Sequence, residues 1–155
     1  MNWKIIWLIC QVLSLIEKKQ ISMNKFALDT NILIYSHDEN SADKQSIARN
    51  LIVRSPIISM QVVSEYISVL NRILKIHKTM VINACMPNLK RCQIQAIDIA
   101  TLQKAEHLIH HYDFQIFDAI IIASALDSGC QTLYSEDMQH KMVIDKQLSI
   151  VNPFL

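Results

Sequence analysis

The sequence predicts an α/β domain built on a mainly parallel sheet with helices on both faces. Three observations predict it. From Met23 onward, short apolar runs alternate with amphipathic segments, the pattern of linked strand–helix units. The segment "IFDAIIIASALDSG", residues 116–129, is apolar almost all round, as a helix enclosed by other layers must be. A chain of 155 residues, 51% of them hydrophobic, forms one domain with a sizeable core.

Each element follows from local pattern. Phe26–Leu28 is an apolar run that reads as the first strand, and Ile32–Tyr35 continue the apolar character beyond it. Ala42–Val53 reads as a helix with Ile47, Ala48, Leu51 and Ile52 on one face. "SPIIS", residues 55–59, is a second short strand whose Ser59 can cap the next helix. That helix carries Val62, Val63, Tyr66, Val69, Leu70 and Ile73 at three- and four-residue spacing. Residues 76–92 are a less regular helical stretch, expected to break at Pro87. "IQAID", residues 94–98, is a third strand, with Asp98 capping a helix that runs to about His111. The buried helix stops at Gly129, the only glycine in the chain. "CQTLYS" and "LSIVN" close the chain as strands. Strands alternating with helices imply parallel pairing.

Bulk properties exclude several classes. The formal charge is +1, so nothing draws the whole molecule to a polyanion, and any nucleic-acid contact must be local or metal-assisted. Cys10, Cys85, Cys92 and Cys130 show no C-x-x-C spacing and read as reduced thiols of a cytoplasmic protein. "WKIIWLICQVLSLI", residues 3–16, is shorter than the roughly 20 residues a membrane span needs, and no small-x-small cleavage pattern follows it. The functional domain is expected over residues 23–155. Residues 1–22 are then a start-site artefact or an appended helix rather than a membrane anchor.

The acids carry the functional signal. Asp29 stands in "KFALDTNILIY", residues 25–35, where a lone carboxylate risks burial at a cost of several kcal/mol. It could simply cap a helix. Glu65 sits at the edge of an apolar stripe, between Val62 and Val69. Asp118 shares a helix face with Ile121, Ile122 and Ala125. Asp137 directly follows the strand "CQTLYS". In a parallel sheet, Asp29 and Asp137 would share the carboxyl edge, with Glu65 and Asp118 near the first turns of helices starting there. Each acid alone has an ordinary explanation, as a cap, a solvated helix residue or a turn acid. Together, four such acids repel one another and call for a cation, and carboxylate oxygens suit Mg²⁺ or Mn²⁺.

Four stretches, "FALDTNILIYSHD", "VVSEYISVLNR", "IFDAIIIASALDSGCQTLYSEDMQH" and "LSIVNPF", give the chain from about Lys25 to Phe154 its resemblance to PIN-domain proteins, specifically the VapC-type toxin ribonucleases. The resemblance implies a three-layer α/β/α fold, an acidic Mg²⁺ site, endonucleolytic cleavage of RNA, inhibition by a cognate antitoxin protein, and a homodimer. It places catalytic and metal-binding roles on Asp29, Glu65, Asp118 and Asp137, with Thr30, Asn31 and Ser135 orienting them. The chain departs from the pattern at Ile116-Phe117, where many relatives carry a small polar residue, and at Lys141, where they often carry Gly.

A bound cation would let a phosphodiester approach so acidic a site and would supply an activated water. For further contacts to RNA, residues 66–97 contain no acid and carry Arg72, Lys75, Lys78, Lys90 and Arg91, either a phosphate-binding face or an ordinary solvated one. Segment 61–92, with Tyr66, Val69, Leu70, Ile73, Leu74, Ile76, Met80, Val81 and Ile82, holds more apolar residues than one buried face needs, which suggests a partner surface. Trp3 and Trp7 lie in the leader and are poor candidates for base stacking. His107 and His111 have zinc-helix spacing without the glutamate of H-E-x-x-H, and read as a solvated helix end. The competing readings are a non-catalytic PIN-like scaffold and a phosphate-transferring α/β hydrolase; the latter lacks its second aspartate, because Asn31 stands there.

Overall fold

The computed structural model describes residues 24–155, so the expectation of an appended leader over residues 1–22 lies outside the described residues. Phe26–Leu28 form β1, a central strand, and all three side chains are buried because helices cover both faces of the sheet. The chain continues through α1 (Thr30–Tyr35), α2 (Ala42–Ile52), β2 (Ile57–Ser59), α3 (Met60–Leu74), α4 (Lys78–Leu89), β3 (Gln93–Gln95), α5 (Ile99–Tyr112), α6 (Ile116–Asp127), β4 (Thr132–Tyr134), β5 (Val143–Ile144) and β6 (Leu148–Val151). The six strands are ordered β3-β2-β1-β4-β6-β5. Every pairing is parallel except β5 with β6. Right-handed crossovers then put α1–α4 on one face of the sheet and α5–α6 on the other.

The core runs across the middle strands. Leu28, Ile58, Leu133 and Ile150, from β1, β2, β4 and β6, are each fully enclosed. Helix α6 packs Ala119, Ile122 and Ala123 into this core with no exposed surface. Its first turn behaves differently: Ile116 and Phe117 are 64% and 59% exposed. Helix starts follow the expected caps, with Ser59 Oγ accepting from Val62 N at 3.2 Å and Asp98 Oδ1 from Thr101 N at 2.8 Å. Gly129 ends α6 at φ +69°, a left-handed conformation that glycine adopts without strain.

Several expectations change. Pro87 does not break the helical stretch: α4 runs through it and ends two residues later, at Leu89. The missing N–H forfeits one bond of the ladder, and so near the helix end any kink is confined to the last turn. Asn88 also holds that end down, donating to Ser36 Oγ at 2.7 Å and to Tyr66 Oη at 3.0 Å. The third strand is Gln93–Gln95 rather than residues 94–98, because its pairing starts where Gln93 N reaches Pro56 O at 2.8 Å. The β5–β6 hairpin was not expected from sequence; two residues of β5 are too few to show a period. The surplus apolar residues divide: Tyr66, Leu70 and Val81 are buried, while Ile73, Leu74, Ile76, Met80 and Ile82 remain exposed. Among the described residues, no helix is long and apolar enough to cross a membrane. Cys85, Cys92 and Cys130 are free thiols.

Candidate active site

Asp29 ends β1 and starts α1 in one residue. Its backbone N donates to Tyr134 O at 2.9 Å, extending the β1–β4 ladder, while its Oδ1 accepts from Thr30 N at 2.6 Å as a helix cap. The cap and the site-residue readings are therefore compatible. Asp29 is only 6% exposed. Its other oxygen, Oδ2, accepts from Ser135 Oγ at 2.7 Å and from Asn31 Nδ2 at 3.3 Å.

The remaining expected residues gather around it. Parallel pairing of β1 with β4 brings the residues after both strands to one sheet edge, which is why Ser135 meets Asp29. Ser135 is fully buried, and its Oγ also accepts from the backbone N of Asp137 and Met138, both at 3.2 Å. Asn31 Nδ2 bridges the two aspartates, reaching Asp137 Oδ2 at 3.1 Å. Thr30 Oγ1 donates to Glu65 Oε2 at 3.0 Å, tying the first turn of α1 to α3. Asp118, half-buried in the first turn of α6, completes the group.

Electrostatics shows that these acids feel one another. Burial pushes the Asp29 carboxyl up to about 6; the Ser135 and Thr30 hydrogen bonds oppose the rise, and the charges of Asp118 and Glu65 add to it. The Asp118 carboxyl is raised as well, first by burial and then by Asp137 and Glu65. Among the described residues the ion pairs are Lys44–Glu136 and Lys104–Asp127, so no basic side chain pairs with any of the four acids.

The donor set suits a hard cation: all-oxygen, acidic and without a compensating charge. Asn31 Oδ1 adds a buried amide oxygen that lacks any hydrogen-bond partner. As the side chains stand, no three Asp, Glu, His or Cys groups among the described residues meet closely enough to hold an ion. Glu65 and Asp137 are exposed, so closing on a cation would take rotamer changes that exchange their hydrogen bonds with Thr30 and Asn31 for the ion.

The basic residues are less concentrated. Arg72, Lys75 and Lys78 lie around the α3–α4 turn, whereas Lys90 and Arg91 precede β3 at the far end of α4. Twelve helical residues, roughly 18 Å, separate the two sets. The structure does not join all five into one patch. It also reveals a cluster that sequence reasoning missed: Tyr35, Lys44 and Glu136, joined by hydrogen bonds. Only the position of Glu136 within "SED" could have hinted at it.

Comparison with known proteins agrees with the fold. A PIN-domain family model matches residues 26–144. A search of curated proteins found no match. Among solved structures, VapC20 of Mycobacterium tuberculosis, described as a sarcin–ricin loop cleaving toxin, superposes with a TM-score of 0.58 at 20% identity, covering 73% of this chain and 90% of its own. A toxin–antitoxin complex from Klebsiella pneumoniae gives 0.60 at 20% identity, over 83% and 97%. VapBC2 from Rickettsia felis, bound to a DNA fragment from its promoter, gives 0.61 at 18% identity, over 82% and 98%. At these identities the likeness is one of fold.

Proposed function

The chain belongs to the PIN-domain family, and from that premise we propose that it is a metal-dependent endoribonuclease, the toxin of a toxin–antitoxin pair. The observation that carries the reading is Asp29: a carboxylate buried at the end of a core strand, held near pH 6 by burial and neighbouring acids, with no basic side chain paired to it among the described residues. A fold keeps such a group when a cation completes it.

In this reading Asp29, Asp118, Glu65 and Asp137 hold Mg²⁺ or Mn²⁺, which when bound neutralises phosphate charge and supplies an activated water. The chain's own residues do the rest. Ser135 and the Thr30 amide keep Asp29 oriented, and Asn31 fixes the gap between Asp29 and Asp137. In this reading Glu65 or Asp137, both exposed, ligates the ion directly, acts through a water or accepts the proton of the attacking water. The exposed apolar residues of α3 and α4 would meet an antitoxin segment or a second copy, as toxin–antitoxin assembly in the structural neighbours suggests.

The test is cleavage of RNA by residues 23–155 with Mg²⁺, with chelator, and in the presence of the neighbouring gene's product. Metal-dependent cleavage that Asp29→Asn and Asp118→Asn abolish is the expected result. A folded protein that binds RNA and never cuts it would favour the scaffold reading.

A further inference from the structure

The loop between β4 and β5 is gripped from two sides. Ser135 and Asp137 take their partners from the acid cluster, as described. Glu136, between them, takes its partners from elsewhere: Tyr35 Oη at the end of α1 and Lys44 Nζ in α2 both donate to its carboxylate. Lys44 also donates to Tyr35 Oη at 3.2 Å. Its ammonium lies 4.5 Å from the Tyr35 ring centroid and 5.1 Å from that of Phe154, and the two rings meet edge to face at 5.1 Å. Tyr35 and Lys44 thus converge on one carboxylate of the loop, and Phe154 of the carboxyl-terminal segment packs against both of them.

A partly exposed ion pair adds little stability, because solvent screens it and both side chains lose freedom. Its effect here is directional. Residues 136–138 form a bend closed by Ser135 Oγ, which accepts from Asp137 N and Met138 N, so anchoring Glu136 from the far side restricts how the backbone between Ser135 and Asp137 can turn. The grip also occupies a carboxylate that would otherwise be a fifth negative charge free to approach the four acids.

We propose that Tyr35, Lys44 and Glu136 form a positioning clamp that sets the 135–137 loop, so that Asp137 stands beside Asn31 and Asp29 before any cation arrives. The proposal rests on the metal-site reading above for the role of Asp137, and none of the three clamp residues touches the reacting atoms.

The test compares Lys44→Met, Glu136→Ala and the conservative Lys44→Arg with wild type. Amide hydrogen exchange reports the loop without metal or substrate. Exchange at Asp137 and Met138, whose N–H groups rest on Ser135 Oγ, should quicken in Lys44→Met and Glu136→Ala and return to the wild-type rate in Lys44→Arg. The Mg²⁺ concentration that half-saturates the thermal shift should rise about ten-fold in the first two variants. RNA cleavage at saturating Mg²⁺ should stay close to wild type. Unchanged exchange in both variants would overturn the clamp, and so would a loss of cleavage with no change in the Mg²⁺ midpoint. A wild-type protein whose melting ignores Mg²⁺ would instead overturn the metal reading, and the exchange comparison would still decide the clamp.

Discussion

Asp29→Asn should make the metal-free protein more stable, and more so as pH rises. Burial takes the Asp29 carboxyl from its ordinary 3.8 to about 6. At about 1.4 kcal/mol per pH unit, that rise is worth about 3 kcal/mol. The sign follows from proton binding. A carboxyl whose native value is raised holds its proton more tightly in the fold than in the unfolded chain. Its contribution is therefore fully present below pH 3.8 and is lost as pH rises through about 6. Asparagine does not titrate there, so its fold escapes the loss. It keeps an oxygen for Thr30 N, but its amide nitrogen faces Asn31 Nδ2 and forces the Ser135 hydroxyl to reverse, at a cost of about 1 kcal/mol. The net gain at pH 7.5 is about 2 kcal/mol, or roughly 8 °C in Tm for a domain of this size. Near pH 4 the variant should match wild type or fall slightly below it. Thermal melts from pH 4 to 8 in chelator measure the difference directly. Adding Mg²⁺ should raise the wild-type Tm and leave the variant nearly unmoved, since a ligand stabilises only the state that binds it. A stability difference that stays flat with pH, or an equal Mg²⁺ response in both proteins, would refute the account.

Lys141→Gly should raise stability by about 1 kcal/mol, because Lys141 sits at φ +66°, where a side chain is strained; a fall in Tm would count against this. Gly129→Ala should lower stability by about 1 kcal/mol from backbone strain alone, since no heavy atom lies within 4 Å of the added methyl; a loss much larger than that, in a denaturant titration, would point to a clash instead. If an antitoxin inhibits by placing an Arg among Asp29, Glu65, Asp118 and Asp137, its affinity should fall as Mg²⁺ rises at constant ionic strength, and an affinity indifferent to Mg²⁺ would mean steric blockade. Light scattering should show a dimer, or a heteromer once antitoxin is added; a monomer unchanged by antitoxin would leave the exposed apolar residues of α3 and α4 unexplained.

What the sequence revealed depended on how local each signal was. Strand β1, the Ser59 and Asp98 caps and the Gly129 stop were legible because one or two neighbouring residues determine them. The acids were legible as a group through their placement after strands and in first turns of helices. The two-sided bonding of Asp29 was not, since nothing near it in sequence shows that Ser135 arrives from the other end of the chain to hold its second oxygen. The departure at Lys141 gains a physical meaning: the position is left-handed, which suits the glycine that the resemblance leads one to expect there. The Glu136 cluster was invisible because Glu136 lies 101 and 92 residues from Tyr35 and Lys44 and each is an ordinary surface residue type. The spread of Arg72, Lys75, Lys78, Lys90 and Arg91 was hidden by the same limitation: a run without acids is continuous in sequence even when a helix carries its ends apart.

The bond between Ser135 and Asp29 spans 106 positions, and the β1–β4 ladder spans the same interval. At about 5–20 residues per second of synthesis, roughly 5–20 s separate the appearance of Asp29 from that of Ser135. During that interval β1 has an open edge where β4 will pair, and Asp29 has no hydroxyl to hold it. Contacts this distant also close slowly after the chain is finished. The order of synthesis therefore acts as a delay: a nascent or truncated chain that stops short of β4 carries three of the four acids and cannot assemble them with Asp137. If the molecule cuts RNA, its synthesis leaves the translating message safe until the last strands are made.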